Sequence, residues 1–252
     1  MTSVPALRKA WHFAIVVILT LLTQIGGLAW LVSLAFKKQK WAFITIYLVM
    51  TGLATQVAPL FGRVAIGCWE SGPLEVQSWL YCGLNRNYVT PELKGVLLSV
   101  AKSVEQEYPG TKTVILDAGF PFLDGFPMVP HLSHSDGEKV DLAFFYRDHK
   151  GYLPGETKSP IGYLAFEAGP TDCPDSWLTL RWGLKAVQPL WRNLDLEPDR
   201  TKFLIDALGA NPQIDKILLE PHLKERFDIS SDKVRFQGCR AARHDDHIHI
   251  QL

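Results

Sequence analysis

The sequence predicts an α+β fold, a small central antiparallel sheet with flanking helices, preceded by two transmembrane helices. Three observations predict it. Two long apolar runs fill the first quarter of the chain, the remainder mixes helical periodicities with short β-branched runs, and the chain ends in an extended segment with histidines at alternate positions. Helices and short strands in that irregular order argue against a repeated βαβ layout.

The first run, Trp11 to Phe36, is almost wholly apolar, and after the basic patch Lys37-Lys38-Gln39-Lys40 a second goes from Trp41 to Phe61. Each is long enough to span a bilayer, which takes roughly 20 apolar residues. The first also exceeds the roughly 7 to 15 apolar residues of a signal peptide. Residues 1–61 therefore read as a membrane anchor, a helical hairpin. Gln24, Gln56, Gly26, Gly27 and Pro59 are expected where its helices touch, because small and polar residues favour contact in lipid. Short Lys-rich loops stay cytoplasmic. Lys37, Lys38 and Lys40 are then expected to point inward, leaving the N-terminus and everything after Phe61 outside. Arg8 and Lys9 carry nearly as much charge, so the opposite sense stays open.

Residues 62–252 are long enough for one compact domain. Residues 62–88, a mixture of Gly, Cys, Trp and Asn, read as the connection from anchor to domain. From Pro91 to Tyr108, Leu93, Val96, Leu97, Val100 and Val104 recur at helical spacing. Thr113 to Asp117 reads as a strand, residues 118–133 as a Gly- and Pro-rich loop at the lip of a cleft, and Val140 to Tyr146 as a strand with Asp141 at its start. Helices are expected over 176–192 and 199–209, a strand over Ile214 to Leu219, a short helix from Pro221 to Phe227, and a last strand carrying His247 and His249.

The chain has 26 basic and 26 acidic residues, so it lacks the positive field that nucleic-acid binding needs. All four cysteines, Cys68, Cys82, Cys173 and Cys239, follow the second apolar run. An even number confined to the soluble part fits disulfides formed in an oxidising compartment. Three connectivities are possible, and Cys68 with Cys82 and Cys173 with Cys239 is the one adopted here. No Cys-x-x-Cys occurs, which argues against a cysteine zinc cluster.

Two segments carry the chemistry. His134-Ser135-Asp136-Gly137-Glu138-Lys139-Val140-Asp141 spaces a His and an Asp seven residues apart around a Gly, and the chain closes on His244-Asp245-Asp246-His247-Ile248-His249. Together they can supply a zinc site, since His and carboxylate are zinc ligands and three protein ligands with one open position is the catalytic arrangement. Alternate residues of a strand share a face, so His247 and His249 converge on one cavity, whereas His244 reaches it only if the chain bends. Asp245 and Asp246 read as solvated or as carboxylates that orient a metal histidine. His131 is placed equally well in the cleft or on a loop. There is no His-Glu-x-x-His, Gly-x-Ser-x-Gly or Walker loop. Asp117, Glu167 and Asp172 leave a carboxylate-pair glycosidase open.

The pattern Ser133-His134-x-x-Gly137-x-x-x-Asp141 followed by His244-x-x-His247-x-His249 resembles the penicillin-insensitive murein endopeptidases. These belong to the LAS metallopeptidases, which also include D-Ala-D-Ala carboxypeptidases. The likeness extends through Arg200 to Leu208, Ile214 to Leu219 and Pro221 to Lys224, and covers about residues 130–252. It implies a Zn2+ peptidase acting on peptidoglycan peptides; the apolar runs and the cysteines add an expected location at the bacterial inner (cytoplasmic) membrane, with the domain on the periplasmic or outer side. The resemblance also implies His134, Asp141 and His249 as zinc ligands, His247 as a catalytic histidine and His244 as a second active-site histidine. The chain departs from the family at Arg243 and Gln251 and in its N-terminal region. A zinc-containing binding or scaffold module that turns nothing over is the alternative; a fourth protein ligand, such as Asp246 or His247, would favour it.

Overall fold

Alternation along the last strand decides the architecture, because it sends isoleucines one way and histidines the other. The computed structural model describes residues 4–174 and 181–252. Its apolar start forms α1 (Val4–Thr23), α2 (Gly26–Ser33) and α3 (Gln39–Val57), which continues as a 3-10 turn over Ala58–Phe61. Strands β1 (Val64–Ala65) and β2 (Leu74–Val76), helix α4 (Trp79–Gly83), and strand β3 (Tyr88–Val89) follow. Helix α5 (Pro91–Glu107) leads to β4 (Thr113–Ile115), β5 (Lys139–Ala143), β6 (Tyr146–Asp148), β7 (Gly151–Tyr152) and β8 (Asp195–Leu196). The chain closes with α6 (Pro198–Ala210), β9 (Lys216–Leu218), α7 (Pro221–Arg226), β10 (Val234–Arg235) and β11 (His247–Gln251).

The central sheet has the order β10-β9-β11-β5-β4-β2. Its middle is antiparallel as expected, but β10 on β9 and β2 on β4 pair in parallel, so the sheet is mixed and larger than the small antiparallel sheet anticipated. β1 pairs with β3, and β6 lies between β7 and β8 in two further small sheets.

The register sets His249 of β11 directly opposite Asp141 of β5, and His247 opposite Ala143. Period-two alternation then puts Val140, Leu142, Ile248 and Ile250 on the opposite face, where they join the main core. Helices α5 and α6 cover that face with Leu93, Val96, Leu97, Leu204, Ile205 and Leu208. Fully burying one such side chain stabilises by about 1.5–3 kcal/mol. Helix α5 starts where the sequence marks it, with Thr90 capping the Leu93 amide, Pro91 in the first turn and Glu92 at the positive end.

Several expectations change. Residues 62–88 are part of the fold, since they supply an edge strand of the central sheet, β2, and the helix α4. The stretch from Val140 to Tyr146 splits into β5 and β6 at Phe144-Phe145, both buried. Of the helix expected over 176–192, residues 176–180 lie outside the described residues, and residues 181–192 hold a single 3-10 turn, Gln188–Leu190.

The first apolar run is broken as well. Gln24 adopts a left-handed backbone with φ 65°, and α2 folds back on α1. A Cβ on Gly26 would meet Thr23 Oγ1 at 2.6 Å and one on Gly27 would meet Thr20 Oγ1 at 2.0 Å, so glycine at both permits the close return. Trp30 Nε1 donates to His12 Nδ1 at 3.3 Å farther along the pair. Trp30 also contacts Phe43 of α3, whose rings lie 5.3 Å apart. The expected hairpin of two long helices is thus a hairpin of α1 with the short α2, and α3 runs in the same sense as α1. The described segments Ala6–Thr23 and Gln39–Phe61 are long and apolar enough to cross a membrane.

The helical segment is fastened to the globular part by a small set of polar contacts. Asn85 Nδ2 donates to Tyr47 Oη at 3.1 Å and to the Thr23 carbonyl at 3.4 Å, and Tyr47 Oη donates to the Gly83 carbonyl at 2.6 Å. The Phe122 amide donates to Gln24 Oε1 at 3.0 Å. The cysteines pair as Cys68 with Cys82 and Cys173 with Cys239, the connectivity adopted from the sequence.

Candidate metal centre

On the polar face of β5 and β11, three donor atoms converge. His134 Nε2 lies 3.3 Å from Asp141 Oδ1 and 3.1 Å from His249 Nδ1, and His249 Nδ1 lies 2.8 Å from Asp141 Oδ1. A tetrahedral zinc site with bonds of about 2.0–2.1 Å keeps its ligand atoms about 3.3–3.4 Å apart. Two of the three separations therefore lie within about 0.3 Å of the spacing that a small divalent ion requires, and the third, at 2.8 Å, is about half an ångström short of it. All three residues are buried. Two imidazoles and a carboxylate suit zinc, and other first-row metals accept the same set.

Two of the three donors, His134 and Asp141, are held by partners outside the cluster. His134 Nδ1 donates to the Ala118 carbonyl at 2.9 Å, which fixes the tautomer with its Nε2 lone pair toward the cluster. Tyr163 Oη donates to Asp141 Oδ2 at 2.7 Å, leaving Oδ1 to face the histidines. The Asp117 amide donates to the same Tyr163 oxygen at 3.1 Å. His134 itself arrives on the loop before β5, which turns at Gly137. That residue has φ 73°, and a Cβ there would lie 2.4 Å from Arg63 Nε, so both conformation and space call for glycine.

His247 stands beside the cluster, its Nε2 3.7 Å from Asp141 Oδ1 and its Nδ1 2.5 Å from Asp246 Oδ1. Asp246 has its second oxygen engaged by the Leu164 amide at 2.5 Å, so it orients His247 and does not join the donors. Burial opposes charge on His247, yet Asp141 and Asp246 outweigh it and raise the imidazole to about 9. The chain does bend before β11, and His244 reaches the site with its ring centroid 5.0 Å from His247 and 5.8 Å from His249. Burial and the neighbouring imidazoles His247 and His249 push His244 well below its ordinary value.

His131 belongs to the cleft. Its Nδ1 lies 2.8 Å from Asp117 Oδ2 and 3.3 Å from Asp141 Oδ2. His131, His134 and Asp141 also form a group with donor atoms within 4.8 Å of one another. We favour His249 over His131 as the third donor, because His249 faces the same Asp141 oxygen as His134 while His131 is engaged by Asp117. Asp117 in turn is buried and gripped by Arg86 through both carboxylate oxygens, one of them 2.6 Å from Arg86 Nε. It is thus a support for His131.

The sequence offers Asp117 only as one of three candidate glycosidase carboxylates, and it marks neither Tyr163 nor Arg86. No spacing marks them, since Tyr163 lies 22 residues from Asp141 in sequence and meets it only through the fold. Asp245, also buried, pairs with Arg243. Glu167 pairs with Lys158. His222 is buried on α7.

The donors line a cleft with two lobes. One, of about 240 Å³, is polar at its edge and includes Ser133, Lys216, Gln237 and Gln251. The other, of about 410 Å³, is largely apolar and shares Pro130, His131, Ala242 and His247 with the first. The chain matches no known family model, and no curated protein matches its sequence.

Proposed function

We propose that this chain is a membrane-anchored zinc metallopeptidase that hydrolyses peptide bonds in peptidoglycan stems or cross-links, with His134, Asp141 and His249 holding the metal. The observation that carries the reading is the convergence of His134 Nε2, Asp141 Oδ1 and His249 Nδ1 within 3.3 Å of one another beside an oriented His247. The resemblance of these segments to murein endopeptidases supplies the substrate class.

Zinc, held by these residues, would supply Lewis acidity and make a nearby water more acidic. The protein's own groups do the rest. In hydrolysis a water oxygen bonds to the carbonyl carbon, the C–N bond breaks and a proton passes to the leaving amine. His247, held at Nδ1 by Asp246, presents Nε2 to the cleft and stabilises the oxyanion or moves that proton. His244, kept neutral by its surroundings, serves as base or orients the attacking water. Lys216 on the polar lobe offers a cation to the carboxylates of a stem peptide.

The enzyme reading is supported by His244 and His247 standing beside the three donors, which a structural zinc would not need. A structural zinc is closed by a fourth protein ligand, and Asp246, with both oxygens taken, does not supply it.

The anchor reading rests on the two apolar helices and the disulfides, which suit an oxidising, non-cytoplasmic compartment. Because the C-terminal end of α1 is the end tied to the globular part, Arg8 and Lys9 belong on the opposite, cytoplasmic side when the domain is outside. Helix α2, with 8 residues, covers only about 12 Å of a core about 30 Å thick.

Turnover of a purified cross-linked muropeptide tests the proposal. Cleavage that a chelator abolishes and added zinc restores is expected; a protein that holds one zinc and cleaves nothing would make the scaffold reading the better one.

A further inference from the structure

The larger lobe of the cleft is chemically unlike a site for a wholly polar peptide. Leu80, Leu84, Ile161, Leu164, Phe166 and Leu184 are among the side chains that line its 410 Å³, and it opens onto His131 and His247 at the candidate metal centre. Arg86, Asp117, Arg243 and Asp246 line it too, each charge engaged by a partner, and a cavity of that size with mostly apolar walls suits an apolar group.

Its location narrows the ligand. The wall formed by Leu80, Tyr81 and Leu84 belongs to α4 and the residue after it. That same helix is fastened to the candidate membrane segment, through Tyr47 Oη on the Gly83 carbonyl and Asn85 on both Tyr47 and the Thr23 carbonyl. Trp79, on α4 too, is 75% exposed, as suits a side chain at a bilayer interface. The apolar lobe thus lies between the membrane segment and the metal donors, with only one short helix separating it from α3.

We propose that this lobe binds the hydrocarbon chain of an acylated peptide drawn from the membrane surface, setting an amide of that peptide at the donor cluster. The proposal rests on the peptidase reading and adds to its substrates peptides that carry an aliphatic chain. The chain enters past α4, the amide meets His247, and the polar remainder of the peptide occupies the lobe with Lys216 and Gln251.

The test uses the full chain, zinc-loaded and reconstituted in lipid nanodiscs, with one stem-like peptide in two forms, N-dodecanoyl and N-acetyl. A photoactivatable diazirine at the end of the dodecanoyl chain reports where the chain sits, by mass spectrometry of the labelled protein. Saturable labelling of residues 80–84 and 161–166, with at least tenfold tighter binding of the dodecanoyl form, is expected. Leu84→Trp and Ile161→Trp, which fill the lobe, should each weaken dodecanoyl binding at least tenfold while the zinc content stays at that of the unaltered protein. Labelling confined to residues 4–61, or equal affinity for the two forms, would overturn the inference, and neither readout depends on the variants folding. Cleavage of both forms at the same kcat/KM would refute the acyl lobe and keep the peptidase. Labelling of the lobe by a protein that binds no zinc and cleaves neither form would refute the peptidase and leave only an acyl-binding cavity.

Discussion

Replacing Tyr163 with Phe removes one oxygen and breaks two contacts that nothing else fully replaces. Asp141 Oδ2 loses a hydroxyl donor at 2.7 Å, and the Asp117 amide loses its acceptor at 3.1 Å. Both Asp141 and Asp117 are buried, so water does not substitute freely. A hydrogen bond to a charged group contributes about 1.5–3 kcal/mol, and a buried donor left unpaired costs about 1–3 kcal/mol. His131 Nδ1, 3.3 Å from the same Asp141 oxygen, recovers part of the first. The zinc-free variant should therefore lose about 3 kcal/mol of stability in urea unfolding. The same change frees the Asp141 carboxylate to rotate Oδ1 away from His134 and His249. Loss of a group that orients a metal ligand lowers metal affinity about 10–100-fold, or about 1.4–2.7 kcal/mol. Chelator competition measures that directly. A zinc dissociation constant within twofold of the unaltered protein would refute the view that Tyr163 orients the metal carboxylate.

His249→Ala should abolish stoichiometric zinc binding, whereas His247→Ala should keep the metal and lower turnover about 10²–10⁴-fold, the range of an acid–base group; metal analysis beside kinetics separates the two, and zinc loss in both variants would make His247 a ligand. Asp117→Asn leaves the buried Arg86 guanidinium without its counter-charge and should cost about 3–5 kcal/mol, measured by urea unfolding. Burial opposes ionisation of Asp117, but hydrogen bonds from His131 and Arg86 hold its carboxyl below the ordinary value. The stability it contributes is then complete above about pH 3.9 and is lost as pH falls below that toward the folded value. Asp117→Asn should lack that part of the acid limb. Replacing Cys173 and Cys239 together by Ser opens a loop of sequence separation 66 and should cost about 4 kcal/mol by loop-entropy arithmetic, against about 3 for Cys68 and Cys82 at separation 14. Urea midpoints of the two double variants check the order, and a larger loss for the shorter loop would contradict it.

Local pattern carried most of the soluble fold. The spacing of Leu93 to Val104 defined α5, and alternation along His247 to Ile250 fixed which side of β11 faces the core. The candidate site was legible where sequence neighbours share it, in His134 with Asp141 and in the final histidines. What sequence could not show is what distant segments do together. Tyr163 and Arg86 act only because the fold carries them to Asp141 and Asp117, and neither belongs to a motif. The sheet grew beyond expectation because β2 comes from Leu74–Val76, a three-residue strand too short to give periodicity, in a stretch read as a connection. The break in the first apolar run leaves no mark in composition, because apolar composition looks the same in one long helix and in two packed ones. Gly26 and Gly27 marked the contact correctly, but the surface they meet is the preceding turn of α1.

The proposed reaction is hydrolysis of peptide bonds in peptidoglycan with a zinc held by His134, Asp141 and His249. Its most direct test is to incubate the zinc-loaded full-length protein with purified sacculi and to read released muropeptides by mass spectrometry, beside His247→Ala. The account predicts new stem-peptide or cross-link fragments that require both zinc and His247, with the fragment masses identifying the bond. Sacculi left intact by a folded, zinc-bound protein would contradict it.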